Sequence, residues 1–138
     1  MSQRPSPVEL ACRVASGEFT PEVLEWLQDS FKAHGRAQGE VPVAACLRLP
    51  STARQYRLAA RDAALRRVAR RMAVIGRWQR ARALHAACSA FRNRFLAWRQ
   101  WGAAPDYASE DERDLFEAFS YAEPPGSTEG LLEVLDDD

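Results

Sequence analysis

The chain has 138 residues, 46% of them hydrophobic, and its 19 basic and 19 acidic side chains cancel to a net charge of zero. That length fits one domain whose core needs no disulfide or metal staple, and zero net charge excludes strong long-range steering of a polyanion. No apolar run approaches the ~20 residues of a membrane span, and Arg4, Pro5, Pro7 and Glu9 precede any long apolar block, which is unlike a secretion signal.

Taken in order, Ser6-Pro7-Val8-Glu9 has the form of a capping box with proline in the first turn. It predicts a helix to Ser16, stopped at Gly17. Thr20-Pro21-Glu22 opens a second helix in the same way, with Val23, Leu24, Leu27 and Phe31 on its apolar face and Trp26 at the margin. Gly35 is its expected stop. Pro42 opens a short third helix through Cys46, Leu47 and Leu49, closed by Pro50.

Ser51 is the expected cap of a long arm. Leu58, Leu65 and Met72 stand seven apart on it, with Val68 and Ile75 between, which is a bundle-type seam. Arg66, Arg67 and Arg70 fall on the opposite side of this arm. After Gly76 a second arm runs from about Arg77 to Trp101. Its stripe of Ala81, Leu84, Cys88, Phe91, Phe95 and Trp98 at steps of three and four is the strongest amphipathic pattern in the chain. A short break between two such arms predicts an antiparallel pair.

Ser109-Glu110-Asp111-Glu112 is another capping box, with acids suited to the positive end of a helix. Leu115, Phe116 and Phe119 should face inward. Pro124-Pro125-Gly126 breaks the chain. A last helix starts at Ser127 or Thr128 and carries Leu131, Leu132, Val134 and Leu135; Asp136, Asp137 and Asp138 sit at its C-terminus, where negative charge is unfavourable. The fold class is therefore all-α. We expect a single-domain bundle of six or seven helices around a long antiparallel helical hairpin (about 51–101), with short N-terminal helices in 1–50 and acidic C-terminal helices in 102–138.

The charge is strongly partitioned along this plan. Residues 51–100 hold thirteen arginines against Asp62 alone, and residues 101–138 hold twelve acids against Arg113 alone. A GC-rich genome enriches arginine and alanine together, so arginine content by itself does not identify a nucleic-acid binder. The clustering still nominates Arg66, Arg67, Arg70, Arg77, Arg80 and Arg82 as phosphate contacts, with Trp78 beside them to stack on a base. DNA or RNA is the partner on this reading. The alternative is a protein-interaction module, an adaptor or an inhibitor of a host or phage protein. Its contact face would be Glu110, Asp111, Glu112, Asp114 and Glu117, which present phosphate-like charge. The Phe91–Phe95–Trp98 stripe would offer a homodimer contact if the short helices left it uncovered.

No pattern points to an enzyme or a cofactor. His85 and Cys88 are three apart on one helix, but a closed zinc site takes about four ligands. His34, Cys12 and Cys46 are poorly spaced to complete it. Cys88 lies on the apolar stripe, which raises a thiol pKa and disarms it as a nucleophile. The carboxylates of 106–117 are a solvated helix start, without the desolvated pairing that acid–base chemistry requires. Three isolated cysteines fit free thiols in the cytoplasm.

The segments Ala59-Ala60-Arg61-Asp62-Ala63-Ala64-Leu65-Arg66, Trp78-Gln79-Arg80-Ala81-Arg82-Ala83-Leu84 and Asp114-Leu115-Phe116-Glu117-Ala118-Phe119 resemble small uncharacterised helical proteins of proteobacterial prophages and integrative elements. The resemblance spans roughly residues 20–135 and departs from the pattern at the acidic end from Glu129 onward. It implies a mobile-element setting and no particular activity.

Overall fold

The computed structural model describes residues 5–74 and 76–136. Arg4, Ile75, Asp137 and Asp138, which figure in the sequence reading, lie outside them. The fold is an all-α helical bundle, and among the described residues there is no strand. The described residues form seven helices, α1 (Pro7–Ala15), α2 (Pro21–Arg36), α3 (Val43–Cys46), α4 (Ala53–Arg70), α5 (Arg77–Trp101), α6 (Glu110–Tyr121) and α7 (Thr128–Asp136). Contacts fall into two compact units, Met1–Ala60 and Arg61–Asp138, so the dividing line lies inside α4.

In the first unit, α2 packs against both α1 and α3. Ser6 and Thr20 cap α1 and α2 as expected, accepting from the backbone N–H groups of Glu9 and Val23 at 3.2 and 3.3 Å. The helix α2 does not stop at Gly35. It continues to Arg36, and the left-handed turn falls at Gln38 and Gly39 instead (φ 53° and 80°). The ring nitrogen Nδ1 of His34 bonds the Val41 carbonyl at 2.6 Å, which folds the linker back onto the helix. Trp26 Nε1 donates to the Leu47 carbonyl at 3.1 Å and ties α2 to the segment after α3. The inward face of α2 is narrower than its apolar spacing suggests. Val23 is fully buried, but Leu24 and Phe31 are more than half exposed (53% and 56%).

The long arm α4 begins one residue later than a cap at Ser51 implies. Thr52 Oγ1 accepts from the Gln55 N–H at 3.1 Å and is the cap. Its Leu65 and Val68 are buried as the seam predicts, but so are Ala63, Ala64, Arg66 and Ala69. Alanine and the aliphatic stem of arginine let neighbours close on this helix from several sides. By contrast, α5 buries the six residues of its expected stripe and no others.

The second unit has one core. It joins Ala64, Leu65, Val68 and Ala69 of α4 to the α5 stripe, to Leu115, Ala118 and Phe119 of α6, and to Leu131 and Val134 of α7. Phe91 sits at its centre in edge contacts with Trp98 and Phe119, ring centroids 5.3 and 5.6 Å apart. Such pairs add about 0.5–1.5 kcal/mol beyond area burial. Leu115 and Phe119 are buried, and Phe116 packs on the core from its margin. The stripe nominated for a homodimer is therefore covered by the chain itself.

Candidate binding surfaces

Three sets of residues in the second unit decide what its surface can do: the arginines of α4 with the acids of α6, the start of α5, and a groove between α5 and α6.

Ser109 caps α6 in a reciprocal box. Its hydroxyl accepts from the Glu112 N–H at 3.1 Å, and Glu112 Oε1 accepts from the Ser109 N–H at 3.0 Å. That box sets α6 in register so that its acids meet α4. Arg67 donates through Nε to Asp114 at 3.2 Å and through Nη2 to Glu117 at 2.5 Å. Arg71 donates through Nε to Asp111 at 2.6 Å and through Nη2 to the other oxygen of Asp114. Asp114 thus bridges two guanidiniums. Burial pushes the Glu117 carboxyl above its usual range; the Arg67 charge opposes this, and the Asp114 charge adds to it. Glu112 moves the other way. The Ser109 N–H, then the Ser109 hydroxyl and the Arg94 guanidinium 2.6 Å away, hold its carboxyl low.

Arg66 corrects the expectation of an outward face. It is 7% exposed, and its Nε donates to the Val134 carbonyl at 2.9 Å. Val134 lies in the last turn of α7, where carbonyls have no helical partner. Arg66 therefore closes a helix end and is unavailable to an outside phosphate. Arg77 is exposed and pairs with Asp136 at 2.8 Å, placing a cation at the C-terminal end of α7. Arg80 Nε donates to the Val74 carbonyl at 3.1 Å. Arg70 is exposed. Trp78 is 46% exposed. Arg82, four residues on along the same side of α5, is exposed and carries no ion pair among the described residues. The nominated phosphate contacts thus separate. Arg66 and Arg67 serve the core and α6, whereas Trp78 and Arg82 stay together at the start of α5. Of the nominated acids, Asp111, Glu112, Asp114 and Glu117 all face arginines of the chain, and Glu110 is exposed.

Sequence reasoning missed the third set. Arg92, Leu96 and Arg99 recur at steps of four and three on α5, just off the buried stripe. With Phe95, Phe119, Ser120 and Glu123 they line a cavity of about 500 Å³ between α5 and α6. Its two rings are nearly buried, and a guanidinium stands over each. Arg92 lies 5.7 Å from the Phe119 centroid and Arg99 5.8 Å from that of Phe95. Arg92 is paired with Glu123, whereas Arg99 has no carboxylate partner among the described residues. Leu96, at the rim, is 47% exposed. The available signal was the step pattern, masked by the eleven other arginines of residues 51–100.

His85 Nε2 meets the Gly126 carbonyl at 3.3 Å, and Cys88 is buried with its thiol pushed up to about 11 by desolvation, which Arg92 partly offsets. A thiol held protonated to that degree is a packing group at neutral pH. Among the described residues no group of three or more His, Cys, Asp or Glu side chains is placed to hold a metal ion, and no helix is long and apolar enough to cross a membrane. No protein-family model, curated protein or solved structure matches the chain.

Proposed function

We propose that the chain is a non-enzymatic protein-interaction module, and that its groove between α5 and α6 takes a short partner segment presenting a bulky apolar side chain beside a carboxylate. The observation that carries this reading is the makeup of the groove: Phe95, Phe119 and an exposed Leu96 in its lining, and an Arg99 guanidinium that no carboxylate among the described residues occupies. An exposed leucine beside aromatic rings and a cation without a carboxylate partner among the described residues suits an interface, where aromatic residues and arginine are enriched. The acidic face of α6 supports the reading less well than its charge suggests, because its acids are turned to Arg67, Arg71 and Arg94.

The test is selection from a random-peptide display library on the immobilised full chain, repeated on Arg99→Glu and Leu96→Asp variants. Both positions are exposed, so the variants keep the core. Enriched peptides should carry Phe, Leu or Ile next to Asp or Glu, and each variant should lose them. No enrichment, or enrichment indifferent to both substitutions, would sink the proposal.

A second reading keeps nucleic acid as the partner, through Trp78 and Arg82. One is a half-exposed aromatic and the other a cation with no ion pair among the described residues, and they share one side of α5. Stacking on Trp78 would contribute about 1–3 kcal/mol per base. Under this reading a labelled single-stranded oligonucleotide binds at low ionic strength and is released by Trp78→Ala and Arg82→Glu.

A further inference from the structure

The helix α2 keeps two large apolar side chains in solvent. Leu24 and Phe31 are 53% and 56% exposed and seven residues apart, so they lie on one side of the helix. Gln28 and Gly35, which share that side, are exposed and uncharged. The result is an exposed, uncharged strip about three turns long beside a charged border. Along one border of the strip stand Glu25 and Lys32, again seven apart. Both are exposed, and neither has an ion pair among the described residues. Lys32 is the only lysine in a chain of eighteen arginines.

These four positions are related by one symmetry operation. A two-fold axis passing near Gln28, across α2, sets a second α2 antiparallel to the first. It puts Leu24 against Phe31 of the second copy. The border of the strip stays on the same side under that rotation, so Glu25 meets Lys32 of the second copy and Lys32 meets its Glu25. Apolar matching and charge matching thus call for the same register, as an isologous contact requires. A parallel pair would set Glu25 beside Glu25 and Lys32 beside Lys32.

We infer that the chain forms a two-fold homodimer through α2, with the Leu24–Phe31 strip at its centre and two Glu25–Lys32 pairs at its border. The occupant of the strip is a second copy of the chain, because the strip is complementary to itself.

The test is sedimentation equilibrium of the full chain across a wide concentration range, with charge-swap variants. A monomer–dimer equilibrium is expected. Glu25→Lys and Lys32→Glu alone should each weaken it by about tenfold, since each swap places like charges together twice per dimer. The double swap Glu25→Lys with Lys32→Glu should restore it, and Phe31→Asp should abolish it. All four positions are exposed, and circular dichroism should show the helices retained. A chain that stays monomeric throughout overturns the inference. So does a dimer indifferent to the swaps, or one that the double swap fails to restore.

Discussion

Arg66 and Arg67 are adjacent in sequence and show how a charged side chain can escape a pattern-based reading. Both fall on the side of α4 opposite its leucine seam, so both read as outward. Arg67 is half-buried and held by Asp114 and Glu117. Arg66 runs its stem through the core to reach a carbonyl at the end of α7. What separates them is the position of an acceptor sixty-eight residues away in sequence for Arg66, which no local pattern reveals. The box at Ser109 is the opposite case. Capping is local, and both of its hydrogen bonds form between residues three apart. Its acid has a testable pH signature. The folded-state pKa of Glu112 is depressed, so its charge contributes stability that is present above the ordinary glutamate value of about 4.3 and is lost as pH falls through the lower folded value. Glu112→Gln keeps the cap geometry and removes the charge. It should cost about 0.5 kcal/mol at neutral pH, and that gap should begin to shrink below about pH 4.3 and close only below the depressed folded value. Urea denaturation of both proteins at several pH values measures it.

At the scale of whole elements, α5 and α4 mark the two ends of legibility. Every core position of α5 was readable, because large apolar side chains on one face and polar ones elsewhere leave a helix only one way to dock. Alanine carries no such directional information on α4, and Ala60, Ala63, Ala64 and Ala69 are buried because neighbours can approach closely. The opposite failure occurs on α2. Leu24 and Phe31 have the spacing of an inner face, but Val23, Trp26, Leu27, Ser30 and His34 form the side that packs. Periodicity fixes which residues share a side of a helix, not which sides find a partner. The same distinction predicts a contrast within α5. Leu84 is fully buried, so Leu84→Ala should cost about 3 kcal/mol, the transfer loss plus a cavity. Leu96, twelve residues on and half exposed at the groove rim, should cost less than about 0.5 kcal/mol on the same substitution. Thermal denaturation of the two variants checks the difference.

For the chain as a whole, much of the opposed charge meets in direct ion pairs, which predicts a lower affinity for polyanions than the arginine content suggests. The acids of α6 lie on Arg67, Arg71 and Arg94, Asp136 lies on Arg77, and Glu123 on Arg92. Deleting residues 109–138 would expose the arginines, but it would also strip Leu115, Phe119, Leu131 and Val134 from the core. Such a truncation measures unfolding as much as unmasking. Substitution separates the two effects. Arg71 has Asp111 and Asp114 as its partners, and Asp114 shares its charge with Arg67, which also keeps Glu117. Asp111→Asn with Asp114→Asn therefore frees one guanidinium and loosens a second without removing any apolar contact. Each lost pair at this half-exposed face should cost ~1 kcal/mol or less of stability, so the variant should remain folded. Its affinity for a labelled single-stranded oligonucleotide should exceed that of the parent chain at low ionic strength. The logarithm of its binding constant should also fall more steeply with the logarithm of salt, by about 0.7 for each phosphate newly contacted. A folded variant with unchanged affinity and unchanged salt slope would mean that these acids serve to position α6 and do not screen the arginines beneath them.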